Sequence, residues 1–137
     1  MVFVVLIACD EGKITSEEGD FEQLGGKWLL FERGYSPGVG YIVEPVDPKP
    51  PQTLTFLSKR RVYSTISGLE AFSHYRLFDD TYQDGTILAF YNHDPGENAT
   101  LESSAAAYNV SSDDEGTMRL DFRFCFEGCH IALRKLE

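Results

Sequence analysis

Residues 117–124 read TMRLDFRF, with Met118, Leu120, Phe122 and Phe124 alternating with Arg119, Asp121 and Arg123. A period of two is that of a β-strand, whose successive side chains point to opposite faces. One apolar face and one charged face describe an antiparallel sheet with one side packed and the other wet. The four apolar side chains are therefore expected to face an interior. On either side of this stretch, from Gly26 onward, no helical i, i+3, i+4, i+7 pattern persists over a helical length. Seven more short runs take its place: GKWLLFER at 26–33, TLTFL at 53–57, RVYSTIS at 61–67, FSHYRLF at 72–78, TILAFY at 86–91, SAAAYNV at 104–110 and HIALRKL at 130–136. Turn chemistry separates them, at Ser67-Gly68, Gln83-Asp84-Gly85, Asp94-Pro95-Gly96 and Asp113-Asp114-Glu115-Gly116. The fold class is all-β, and eight strands, an even number, can close as an antiparallel up-and-down barrel.

In such a meander alternate connections lie at one end, and the two longest, residues 34–52 and 92–103, fall together. The first carries Pro37, Pro45, Pro48, Pro50 and Pro51, a stiff segment expected to act as a lid with Tyr35 and Tyr41 as contact surface. The short connections at the other end make a floor.

At the first strand, Leu24-Gly25-Gly26-Lys27-Trp28 sets a glycine two residues before the single tryptophan. Here the chain resembles a lipocalin. That family opens its first strand with Gly-x-Trp, closes the barrel floor with the indole and packs a basic side chain from the end of the last strand against it. The resemblance covers roughly residues 24–137. It implies a lipocalin-like barrel floor of Gly26 and Trp28, with Arg134 or Lys135 as the cation, Arg134 being the first choice.

The chain has 137 residues, enough for one core, with 22 acidic and 12 basic residues and a formal charge of −10. That charge repels phosphate backbones, so no nucleic acid is expected as a partner. The apolar run Met1–Ala8 is too short to span a bilayer but has the length of a secretory core segment. It ends in Leu6-Ile7-Ala8-Cys9 and resembles a bacterial lipoprotein signal, in which the cysteine is lipidated after cleavage. The competing reading is a buried strand, since Val-Phe-Val-Val-Leu-Ile has high β-propensity. Residues 10–20, DEGKITSEEGD, contain one apolar residue, Ile14, and read as a solvated tether rather than a turn into a partner strand. The expected organisation is a signal remnant over 1–8, an acidic flexible tether over 9–22 and the barrel over 23–137. Cys9 would be the lipid attachment site, placing the protein in the bacterial cell envelope on the periplasmic or surface side of the outer membrane.

Export meets an oxidising compartment, where Cys125 and Cys129 in RFCFEGCHIAL can bridge. A two-residue turn at Glu127-Gly128 would pair Phe124 with Ile131 and put the cysteines on opposite faces. The disulfide instead needs all of Phe126-Glu127-Gly128 in the turn and an irregularity at Cys129–Ile131 to restore the phase.

No catalytic motif stands out: His74, His93 and His130 are scattered, and none sits in a nucleophile elbow. Cys125, Cys129 and His130 lack the fourth ligand of a structural zinc site, and Asp79, Asp80 and Asp84 lack the glutamate of a calcium loop. Gly34, Gly38 and Gly40 open no helix and make no phosphate cradle. The expectation is a non-enzymatic monomer with no metal and no cofactor. Its first function class is binding of a small apolar or amphipathic ligand among Leu30, Phe56, Leu77, Phe90, Tyr108 and Phe122. The alternative is a filled barrel acting through its loops as an interaction, inhibitor or envelope scaffold module.

Overall fold

The computed structural model describes residues 12–14, 23–80, 85–125 and 128–136. Cys9 and the apolar run before it lie outside them. The described strands are β1 (Gly12–Ile14), β2 (Gly26–Tyr35), β3 (Ile42–Pro45), β4 (Thr53–Phe56), β5 (Val62–Ser64), β6 (His74–Asp80), β7 (Thr86–Tyr91), β8 (Ala106–Ser112), β9 (Thr117–Phe122) and β10 (Cys129–Leu136). Eight of them form the wall in the order β6-β7-β8-β9-β10-β2-β4-β5, every neighbour antiparallel. The first wall strand, β2, pairs with the last, β10, along nearly its whole length. The seam between β5 and β6 is thin. A single bridge, Arg61↔His74, crosses it, flanked by Val62 N–H to the Ser73 carbonyl (2.8 Å) and Tyr75 N–H to the Arg60 carbonyl (2.9 Å). The result is a nearly closed, all-β barrel consistent with the lipocalin-like expectation.

Two strands lie outside that wall. Because β5 is only three residues long, the far half of β6 lacks a partner from it, and β1 pairs there instead, Ile14 opposite Phe78 and Gly12 opposite Asp80. These three residues belong to the stretch expected as a tether. Along β2, β4 takes the lower half and β3 the upper, from Glu32↔Pro45 to Tyr35↔Ile42. The proline-rich connection thus doubles back along the edge of β2 above β4, and all four residues of β3 are exposed.

The interior is packed. Leu30, Leu54, Phe56, Leu77, Phe90, Leu120 and Leu133 are buried in one cluster, with Phe56 edge-on to Tyr75 and Phe72 stacked on Phe90. A second, smaller cluster sits outside the wall, where Phe78, Ile87, Ala89, Tyr91 and Ala107 are covered by Ala99 and Leu101 of the 92–105 connection. This explains the continuous apolar run in TILAFY: β7 is buried on both faces, so it cannot alternate.

At the floor, Trp28 is 5% exposed and its indole N–H donates to the Leu24 carbonyl at 2.9 Å. Gly26 has φ +113°, a conformation that favours glycine, and a β-carbon there would meet the Lys135 stem. The cation over the indole is Lys135, 5.6 Å from the ring centroid, and not Arg134. Register is the reason. Lys135 is directly opposite Trp28 and shares its face, whereas Arg134 is opposite Leu29 and lies over Phe31 on the outer wall, at 4.7 Å.

The β9–β10 connection also differs from expectation. His130 pairs with Asp121, Ile131 with Leu120 and Leu133 with Met118, a regular ladder that leaves 123–128 as the connection. The apolar residues of both strands share the inner face with no bulge after Cys129. Phe124, expected inside, sits in the turn and is 68% exposed. The irregularity lies on the other edge of β10, between Ala132 and Leu133, where Phe31 of β2 is the extra residue.

Candidate functional site

The largely packed barrel leaves a cavity of about 290 Å³ at the mouth, the end where β2 finishes and β10 begins. Arg33 and Tyr35 on β2, Tyr108 on β8, Phe122 on β9 and Cys129 and Ile131 on β10 line it, and Ile66–Leu69 form the opposite rim. Arg33 is opposite Ile131 in the ladder and faces inward with it: the extra residue Phe31 shifts the phase after Leu30, so the inner face of β2 ends in a guanidinium at the mouth. Its Nη2 donates to Gln52 Oε1 at 3.0 Å. The rim is built by local chemistry. Ser64 Oγ donates to the Thr53 carbonyl (3.1 Å) and accepts from the Ile66 N–H (3.0 Å), and the Leu69 N–H closes onto the Ile66 carbonyl at 2.9 Å. Gly68 takes φ +93° at the apex.

The aromatic wall is continuous with the core: Tyr108 contacts Phe90 edge-on, with centroids 5.7 Å apart, and packs at a tilt on Phe122 at 5.2 Å. Burial raises the phenol pKa of Tyr108. Of the six residues expected to line a ligand, Tyr108 and Phe122 do line the cavity. Leu30, Phe56, Leu77 and Phe90 lie below it, each at most 1% exposed, filling the barrel with their own side chains. Of the two expected lid tyrosines, Tyr35 lines the mouth and Tyr41 does not.

Tyr41 belongs to a constellation that sequence reasoning missed. Alternation along β10 sends Ile131 and Leu133 inward and His130 to the outer wall, yet His130 is only 5% exposed. The turn from β2 to β3 lays Tyr41 over it, the two rings stacked with centroids 5.6 Å apart. The Tyr41 hydroxyl hydrogen-bonds His130 Nδ1, and His130 Nε2 meets Glu32 Oε2 at 2.8 Å. With the carboxylate as acceptor, Nε2 carries the proton and Nδ1 accepts from the phenol, so both ring nitrogens are satisfied. Desolvation raises the Tyr41 pKa, Arg119 opposing it and Asp121 and Glu32 adding to it.

Gly34 makes the latch possible. A β-carbon there would overlap the His130 ring and the Tyr41 hydroxyl. Gly34 therefore answers a close approach of two side chains to the backbone, whereas Gly38 and Gly40 take φ values of +105° and +74° in the turn. The other histidines stand apart: His74 bonds Ser73 Oγ at 2.8 Å beside the seam, and His93 is exposed in the outer connection.

Cys125 and Cys129 form a disulfide with Cα atoms 5.9 Å apart. It closes within the β9–β10 connection, where the Gly128 N–H donates to the Cys125 carbonyl at 3.0 Å, and through Cys129 it forms part of the cavity wall. The mouth is thus assembled from a disulfide-tied connection, a hydrogen-bonded rim and a hairpin pinned by Tyr41. Compared with known proteins, the chain matches no family model, no curated protein and no solved structure.

Proposed function

We propose that this protein is a lipid-anchored lipoprotein of the bacterial envelope that carries a small amphipathic ligand in the mouth of its barrel. The observation that supports binding is the mouth cavity itself. At about 290 Å³ it lies at the lower edge of the range for small-molecule sites, and it joins an aromatic wall to a single guanidinium. Such a cup suits a compact ligand with an apolar body and a polar or anionic end near Arg33. Long-chain ligands do not fit, because the barrel below is filled. The same filling favours a second reading, a scaffold working through its outer surface, on which Val39, Ile42 and Val43 of the β2–β3 hairpin are exposed.

Titration with a fluorescent amphipathic probe such as anilinonaphthalene sulfonate separates the two readings. Saturable binding that Leu69→Trp abolishes, in a variant that remains folded, supports the cup; a response unchanged by Leu69→Trp supports the scaffold. The anchor is tested on the chain expressed with a functional signal. Cys9 attachment requires the wild type to partition into detergent and Cys9→Ser to be released, and equal retention of both rejects it.

A further inference from the structure

The tip of the β4–β5 hairpin has an unusual backbone for its sequence. Lys59 and Arg60 take left-handed φ values of 59° and 57°. The Arg61 N–H closes the loop on the Ser58 carbonyl at 3.4 Å, so the two cations occupy the central positions where a tight hairpin favours Asn and Gly. Such strain persists where surrounding structure imposes it, and it concentrates at sites with a use.

Lys59 and Arg60 line, together with Arg76 of β6, a cavity of about 300 Å³ between the hairpin tip and the Asp94–Glu97 segment. Arg76 is 6% exposed. Its Nη1 donates to the Tyr75 carbonyl at 2.8 Å, but Nη2 reaches Asp94 Oδ1 and the Gly96 carbonyl only at 3.4 and 3.3 Å. Its Nε is shielded from solvent and has no hydrogen-bond partner among the described residues. In a chain of charge −10, three cations thus converge on one cavity against two carboxylates, Asp94 and Glu97.

We propose that this cavity binds a small oxyanion of the phosphate class, held between Lys59 and Arg60 on the hairpin and Arg76 on β6. The charge-assisted donors are of the type that recognises phosphate oxygens. Asp94 acts as the internal competitor. Its carboxylate is fixed by the Gly96 N–H at 3.0 Å, and its side chain is 66% exposed, free to yield the Arg76 edge to a ligand of higher charge. The site also lies across the thin seam that the Arg61↔His74 bridge and its two flanking backbone hydrogen bonds span, so a bound oxyanion would further tie the hairpin to β6.

Thermal unfolding of the full chain in inorganic phosphate, against chloride at equal ionic strength, tests this. The wild type should show a saturable rise in Tm. Lys59→Gln, at an exposed position, should weaken the midpoint about fivefold, the equivalent of one partly screened contact. Asp94→Asn should tighten it by removing the competitor, whereas a purely structural Asp94–Arg76 pair predicts only a lower Tm. A parallel arm with vesicles of phosphatidylglycerol in phosphatidylcholine identifies the source. A Lys59-dependent response to vesicles alone assigns a lipid headgroup, and one to free phosphate assigns a dissolved ligand. An unsaturating rise equal in all three chains is a general salt effect and overturns the proposal, as does the absence of any response.

Discussion

Trp28 joins sequence to fold through two contacts, its indole N–H bonded to Leu24 and its face under Lys135, while Gly26 two residues earlier turns the chain into β2. Trp28→Ala should destabilise the barrel by about 3 to 5 kcal/mol in denaturant unfolding, as large aromatic truncations in cores do. Native tryptophan emission should be blue-shifted and poorly quenched; readily quenched, red-shifted emission would contradict the floor assignment. Tyr91 lies in the outer cluster, 1% exposed, with its hydroxyl donating to the Thr100 carbonyl at 2.7 Å. Burial pushes its pKa from 10.0 up to about 12, with Arg76 opposing the shift. A raised phenol pKa means that the native state holds the proton more tightly than the unfolded chain. Its contribution to stability is thus complete below pH 10 and is lost as pH rises from 10 through 12. In a titration of tyrosinate absorbance one late-ionising phenol should vanish in Tyr91→Phe, and that variant should lose less stability across this window than the wild type. The Gly-x-Trp pair was legible because it is a short local motif. The choice of Lys135 over Arg134 was not, because it depends on a cross-strand register that the extra residue Phe31 shifts by one.

At the scale of elements, legibility followed periodicity. The eight wall strands fall within a few residues of the runs read from alternation and turn signals, because each has an inner face that must be apolar. β1 and β3 were invisible for the same reason: neither stretch alternates over a strand's length, and β3 is exposed throughout, so no pattern of burial is written into it. What fixes β3 is its hydrogen bonding to β2 and the Tyr41–His130–Glu32 latch, long-range contacts between residues 89 and 98 apart in sequence. Tyr41→Phe leaves His130 Nδ1 buried without a partner, a loss of about 1 to 3 kcal/mol. Amide exchange should then accelerate in β3 and hardly change in β7; uniform acceleration would point to global rather than local loosening. The β9–β10 connection was partly legible. Spacing and the expected export brought Cys125 and Cys129 together, but the connection is longer than the expected three-residue turn, so the ladder needs no bulge after Cys129. Intact mass after alkylation without reductant should show neither Cys125 nor Cys129 alkylated; two added labels there would reject the bridge. Because the loop is so short, reduction should lower stability by about 2 kcal/mol at most.

For the whole molecule, the same aromatic content that makes a stable small barrel also fills it, and its interior opens into a cavity at the end where the wall strands give way to connections. That division explains why four of the six residues expected to line a ligand are core and why the mouth is framed by Arg33, Tyr35 and the Ile66–Leu69 rim. The rim was not legible, because a connection carries no periodicity to mark which of its residues turn inward. The central claim is that this mouth holds a small amphipathic ligand, and native mass spectrometry of the protein purified gently from the cells that produce it tests it most directly. A single bound species of small mass, present on the wild type and missing from a folded Leu69→Trp variant, is the result predicted; ligand-free wild type, or a species that Leu69→Trp retains, would contradict it.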